Sequence, residues 1–282
     1  MSQPVVYLNG RFVLAERAAI SPLDRGFLYA DGLFETMRAY DGRVFRLEAH
    51  LERLSRSRAA FRLDEDYPPA ELAQLVERLL AANELADARV RLTLTRGRHA
   101  GGMHLYPASP LLLITAAPMP AAGPASAGLT LATVGVRFSE HNPIFRHKTL
   151  NRLPHLLART EAVQAGADEA LILDERGNVA TASTGNLFAV YRGQLFTPPL
   201  GAPILPGITR AEVLRLARRE GIPIREDFFS PLMLAGAEEA FLTNSVSEIV
   251  PIVKVDANPI GSGQPGPVTA TLQKLYRALV QP

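Results

Sequence analysis

The chain has 282 residues, 47% of them hydrophobic, and its 30 basic and 28 acidic residues leave a formal net charge of +2. So small an excess argues against nucleic acid or an anionic membrane as the main partner, and the absence of cysteine excludes disulfides, thiolate catalysis and zinc–thiolate sites. Met1–Pro4 shows no charged-then-apolar leader and no apolar run approaches the ~18 residues of a membrane span, so a soluble, cytoplasmic protein is expected.

Taken in order, Val5–Leu14 alternates around Asn9-Gly10, a two-residue hairpin signal. Asp24-Arg25-Gly26 reads as a turn, and Leu33–Tyr40, Asp41-Gly42 and Arg43–Leu47 predict a second hairpin. Helices are expected over Glu48–Phe61 and, behind Pro68-Pro69, over Ala70–Ala82, where Leu72, Leu75, Val76, Leu79 and Leu80 share one face. Strands follow at Arg89–Thr95 and Leu111–Ala116, so this half mixes hairpins and helices in an α+β pattern. The Pro-, Ala- and Gly-rich stretch from Pro118 to Pro124 marks a linker. It suggests an N-terminal domain over 1–117, a linker over 118–127 and a C-terminal domain over 128–282. The second half predicts strands at Leu129–Val136, Glu169–Leu173, Val179–Tyr191, Gln194–Thr197, Ala240–Thr243 and Ile249–Val255. Its helices are expected at Leu153–Ala165, Thr209–Glu220 and Thr269–Val280.

Lys148, in His147-Lys148-Thr149-Leu150-Asn151-Arg152, is the only lysine before Lys254, and arginine supplies nearly all the remaining positive charge. Arginine stays protonated in proteins, whereas a partly desolvated lysine can lose its proton and act as a nucleophile. Leu205-Pro206-Gly207-Ile208-Thr209-Arg210 sits where a loop becomes a helix. Gly207 permits close approach, and the N–H groups of Ile208 and Thr209 would face an anion at the positive end of the helix dipole. The same residues also suit a plain helix start with Thr209 as N-cap. Thr243-Asn244-Ser245-Val246-Ser247-Glu248 offers a second anion cradle around Ser245 and Val246. Arg53 can supply a cation, and Ala182–Phe188 places small polar residues before a strand. A single amine, two anion cradles and an arginine together suggest a phosphorylated aldehyde held through lysine, for which pyridoxal 5'-phosphate is the obvious candidate.

The run Asp24–Thr36, the His50–Leu54 segment, Lys148–Asn151, Gly185–Phe188, Leu205–Arg210 and Ser247–Pro251 together resemble the class IV aminotransferase family, the fold-type IV pyridoxal-phosphate enzymes, over nearly the whole chain. The resemblance implies a small N-terminal α/β domain and a larger C-terminal pseudo-barrel domain. It also implies a homodimer, a small-molecule amino substrate and no metal. By it Lys148 is the Schiff-base lysine and the proton shuttle. Arg53, Ile208, Thr209 and Ser245, with Gly207 and Val246 beside them, are the phosphate grip, and Asn186 lines the cofactor.

One departure stands out. Five residues before Asn186, where most of the family has a glutamate facing the pyridine nitrogen, this chain has Thr181. A hydroxyl cannot give the charge compensation of a carboxylate, so the cofactor ring becomes a weaker electron sink. Branched-chain aminotransferases carry one more residue between the lysine and the asparagine, followed by tyrosine, but here Asn151 is followed by Arg152. The D-amino-acid pattern keeps His104, but it has Gly102 where an arginine is expected and Phe34 in a tyrosine's place. The wording Lys148 to Leu153 is closest to 4-amino-4-deoxychorismate lyase, which releases pyruvate and forms 4-aminobenzoate. That reading places substrate carboxylates near Arg96 and Arg98, with Thr36 as an active-site hydroxyl. The alternatives are an aminotransferase for D-amino or branched-chain amino acids, and a catalytically weak pyridoxal-phosphate binder.

Overall fold

A computed structural model describes residues 3–63, 67–98, 104, 109–119 and 128–280. Most of the expected linker, at 120–127, and Gly102 lie outside these. The chain divides into two compact units, Met1–Pro120 with His147–Asn151, and Ala121–Arg146 with Arg152–Pro282. The pentapeptide around Lys148 is thus counted with the first unit although both its flanks belong to the second.

In the first unit, strands β1 (Val5–Leu8), β2 (Arg11–Leu14), β3 (Gly32–Tyr40), β4 (Arg43–Val44), β5 (Ala88–Thr95) and β6 (Leu111–Pro118) form an antiparallel sheet in the order β2-β1-β6-β5-β3-β4. Positive φ at Asn9 (43°) and Gly10 (87°) gives the tight turn expected between β1 and β2. The predicted turn at Asp24 is instead the start of a short helix, α1 (Arg25–Tyr29), because the Asp24 carboxylate accepts from Gly26 N at 2.7 Å and caps it. Helices α2 (Leu47–Ala60) and α3 (Pro69–Ala82) lay Leu51, Leu54, Leu72, Val76 and Leu79 into a core with Leu33, Met37, Val90, Leu92 and Ile114. The β alternation puts Glu35 on that same inward face.

In the second unit, β7 (Leu129–Phe138), β8 (Glu169–Asp174), β9 (Val179–Ala182), β10 (Asn186–Tyr191), β11 (Gln194–Thr197), β12 (Ile224–Glu226), β13 (Glu239–Asn244) and β14 (Glu248–Val255) run in the order β12-β11-β10-β13-β14-β7-β8-β9, with β15 (Asn258–Pro259) paired to β14. Helices α4 (Leu153–Gln164), α5 (Ile208–Arg219), α6 (Pro231–Ala235) and α7 (Pro267–Val280) accompany the sheet. The single strand predicted over Val179–Tyr191 is two, broken at Ser183–Gly185. Gly185 is needed there, since a Cβ would stand 2.6 Å from Thr243 O. One face of the sheet packs Leu171, Leu187, Leu242, Val250 and Ile252 together. On β10 and β13 the other face carries Phe188 and Phe241, stacked at 4.9 Å and both fully buried. Glu239 ties this sheet to α7, accepting from Val268 N, Thr269 N and Thr269 Oγ1 at the helix start. Among the described residues no helix is long and apolar enough to cross a membrane.

Phe241→Ala removes half of the buried ring pair and is expected to cost about 3–5 kcal/mol in chemical denaturation. A loss below ~1 kcal/mol would show that the pair does not support the second unit.

Candidate functional site

Lys148 is seated by the backbone. Phe34 N donates to Lys148 O and Leu150 N donates to Gly32 O, both at 2.9 Å, with Leu33 and Thr149 in an antiparallel bridge. This works because β4 reaches only Ala39 and Tyr40 of β3, leaving the edge at Gly32–Phe34 open on the side away from β5. His147 adds a second attachment: its Nδ1 lies 2.9 Å from Ser57 Oγ, and its ring packs edge-on against Phe61 at 4.9 Å. Ser57 Oγ already donates to Arg53 O at 3.0 Å, so the histidine Nδ1–H is the donor to it.

Beneath this edge lies a buried charge network. Glu35 accepts from Arg53 Nε at 2.9 Å, Arg53 Nη2 at 2.6 Å and His50 Nδ1 at 2.8 Å, and all three residues are at most 4% exposed. Burial alone would raise the Glu35 carboxyl, but the Arg53 charge and the hydrogen bonds from His50 and Arg53 outweigh it and bring it from 4.5 to about 2. Burial pushes His50 below its ordinary value, against the opposing pull of Glu35. Arg53, the expected cation of the phosphate grip, is therefore a fixed guanidinium, held bidentate by a carboxylate.

Phe34 lies on the opposite face of β3. Lys148 Nζ sits 4.8 Å from its ring centroid, and the Arg91 guanidinium carbon sits 3.9 Å from the same centroid. Arg91 pairs across the strands with Thr36 and donates Nε to Thr93 Oγ1 at 3.3 Å; it forms no ion pair among the described residues. Burial, and then the nearby Arg89, lower its proton affinity. The sequence reading did not name Arg91, whose register opposite Thr36 exists only in the folded sheet. It named Arg96 instead, and the structure corrects that. Arg96 is 2% exposed and gives Nε to Asp31, Nη1 to Arg62 O and Nη2 to Phe61 O, so it clamps chain segments and cannot meet a substrate. Arg98 and His104, beyond β5, are both exposed.

The anion cradle belongs to the second unit. Helix α5 starts at Ile208 with Gly207 at the cap position and no side chain capping it. The alternative of Thr209 as N-cap is overturned, since Thr209 lies inside the helix and is 2% exposed. Gly207 is required, because a Cβ there would fall 2.1 Å from Asn186 Oδ1. Asn186, expected to line the cofactor, braces this loop by donating Nδ2 to Leu205 O at 2.9 Å. In the second cradle Asn244 Oδ1 accepts from Val246 N at 3.0 Å and Ser247 N at 2.7 Å, so the turn carrying Ser245 is preformed while the Val246 amide is turned inward. An uncapped helix start, a glycine admitting close approach and a preformed turn fit a phosphate.

Thr181 is 8% exposed, and its hydroxyl lies 2.8 Å from Gly185 O and 3.0 Å from Ala182 O, within the bend before Asn186. Below that bend the buried carboxylate of Glu169 takes Ser183 N, Ser183 Oγ and Thr184 Oγ1, and pairs with Arg159 at 2.6 Å. Arg152 reaches the same bend, donating Nη2 to Ser183 O at 3.1 Å and Nη1 to His155 Nε2 at 2.8 Å.

A family model described as Amino-transferase class IV matches residues 32–255. The chain is 39% identical over 278 residues, 96% of its length and 95% of the relative's, to a candidate branched-chain-amino-acid aminotransferase of Methanocaldococcus jannaschii. It is 33% identical over 282 residues, 98% of each chain, to a D-alanine aminotransferase of Staphylococcus epidermidis. Among solved structures it matches a branched-chain amino acid aminotransferase complexed with N-(5'-phosphopyridoxyl)-L-glutamate, with a TM-score of 0.92, 31% identity and coverage of 99% and 95%. A candidate 4-amino-4-deoxychorismate lyase of Legionella pneumophila shares the fold at a TM-score of 0.88 but only 23% identity, covering 94% and 97%.

Glu35→Gln leaves Arg53 buried without its counter-charge and is expected to destabilise the protein by about 3–5 kcal/mol. Because the folded carboxyl titrates below its unfolded value of 4.5, its contribution is present above pH 4.5 and is lost as pH falls toward about 2. Urea titrations at stepped pH should therefore show stability falling across that window in the wild type and a flatter profile in the variant.

Proposed function

The chain belongs to the class IV aminotransferase family, and from that premise we propose that it exchanges an amino group between a branched-chain amino acid and a dicarboxylic partner, glutamate or its keto acid. It is a pyridoxal-phosphate-dependent enzyme of that family. The branched-chain assignment is supported by the M. jannaschii relative and by the solved branched-chain aminotransferase whose ligand contains L-glutamate. The observation that carries the dicarboxylate is Arg91, a cation without a carboxylate partner among the described residues, stacked on the same ring as the Lys148 amine. A second carboxylate on the substrate would supply the missing charge.

When bound, pyridoxal phosphate supplies an electron sink that acidifies the carbon bearing the amino group. Lys148 carries the cofactor between turnovers, and its Nζ moves the proton to and from that carbon. The N–H groups opening α5, with Ser245, would hold the phosphate. Were Thr181, whose hydroxyl lies against Gly185 O and Ala182 O, the residue beside the ring nitrogen, the sink would be weaker than a carboxylate would make it.

The lyase, first choice from the sequence, becomes the second reading. It keeps the support of Thr181, because an elimination that makes an aromatic product asks less of the sink. The support from Arg152 is weaker, since its bond to Ser183 O gives this residue a structural role in the chain whatever the reaction.

Helix α4 buries Ala158 and Ala162 and leaves Leu153, Leu156, Leu157 and Val163 between 55% and 61% exposed. We assign that stripe to the contact of a homodimer.

Single-turnover absorbance changes of the cofactor should appear with L-leucine and L-glutamate. Response to D-alanine alone, or 4-aminobenzoate formed from aminodeoxychorismate, would replace the proposed activity. Arg91→Ala is expected to raise KM for glutamate about tenfold more than KM for leucine, the scale of one hydrogen bond to a charged group. Sedimentation should give a dimer for the wild type and a lighter species for Leu156→Asp; an unchanged mass would remove α4 from the contact.

A further inference from the structure

Thr243 of β13 stands directly opposite Asn186 of β10 in an antiparallel pair, so the two side chains leave the sheet on the same face. That face meets the loop leading into α5: Asn186 donates to Leu205 O, and its Oδ1 occupies the place a Gly207 Cβ would need. Thr243 is 2% exposed, and its Oγ1 has no hydrogen-bond partner among the described residues. An unsatisfied buried hydroxyl is costly, and it persists where something outside the chain completes it. Asn186, its cross-strand neighbour, braces the loop that leads into α5, which begins without a side-chain cap. The acceptor in the neighbouring turn, Asn244 Oδ1, already receives Val246 N and Ser247 N.

We propose that Thr243 Oγ1 donates a hydrogen bond to the anion held at the start of α5, which makes Thr243 a phosphate-binding residue. The inference rests on the reading that this helix start receives the phosphate of pyridoxal phosphate. It goes beyond that reading by assigning an acceptor to a hydroxyl that the fold otherwise leaves with none.

The apoprotein is titrated with pyridoxal phosphate and, separately, with pyridoxal, which lacks the phosphate, following the absorbance of the bound chromophore. Thr243→Val is expected to weaken pyridoxal phosphate about tenfold, the scale of a hydrogen bond to a charged acceptor. It should leave pyridoxal within about twofold and should not lower the apoprotein Tm, since the valine removes an unsatisfied polar group without opening a cavity. Thr243→Ser should restore the affinity. Unchanged affinity for pyridoxal phosphate in the valine variant, equal losses for both aldehydes, or a fall in apoprotein Tm would overturn the proposal. Gly207→Ala tests the underlying reading separately. If it retains full affinity for pyridoxal phosphate, the phosphate does not sit at α5 and both ideas fall. If it loses affinity while Thr243→Val does not, only the role of Thr243 falls.

Discussion

Two backbone hydrogen bonds on the open edge of β3 decide where the Lys148 amine stands. Phe34 N to Lys148 O and Leu150 N to Gly32 O lay the pentapeptide along a strand that has two other tasks. Its inward face carries Glu35 into the core, where it fixes Arg53 and His50, and its opposite face carries Phe34 and Thr36 beside Lys148 and Arg91. Amine, guanidinium and buried carboxylate are therefore referred to one rigid element, which is how a site holds its geometry without drawing on flexible loops.

The second unit reaches comparable order by saturating its bends with hydrogen bonds. Glu169 gathers the polar groups of Ser183 and Thr184, Arg152 takes the Ser183 carbonyl, Asn186 takes that of Leu205, and Asn244 closes its own turn. Each bond removes a backbone or side-chain freedom before any ligand arrives, so less ordering entropy is left to lose on binding.

What could be read from the sequence follows from the range of the forces involved. Hairpins at Asn9-Gly10 and Asp41-Gly42 and the leucine face of α3 are set by local chemistry and periodicity, and they were visible. Lys148 was visible because it is an isolated lysine in an arginine-rich chain. The arginines were not separable by sequence. Arg96 and Arg91 sit five residues apart on one strand and its exit, yet one is sealed against carbonyls while the other meets an aromatic ring. Nothing local distinguishes them, since their surroundings come from segments distant in the chain. Arg152 admits two readings for a related reason: its neighbours in sequence suggest a reaction, whereas its partner in space, Ser183, suggests support for a bend.

The seat of Lys148 also bears on how the protein is made. The strand edge that receives the pentapeptide lies near the start of the chain, and the residues that cover it come only after the first unit's other strands. A nascent chain can complete its hairpins and the helices α1, α2 and α3 while the Gly32–Phe34 edge still presents unpaired amide and carbonyl groups. Such an edge invites pairing with neighbouring chains, and closing it needs a contact of long sequence separation that forms slowly. The feature that places the amine therefore also leaves the N-terminal unit unfinished on the ribosome until the middle of the chain has emerged.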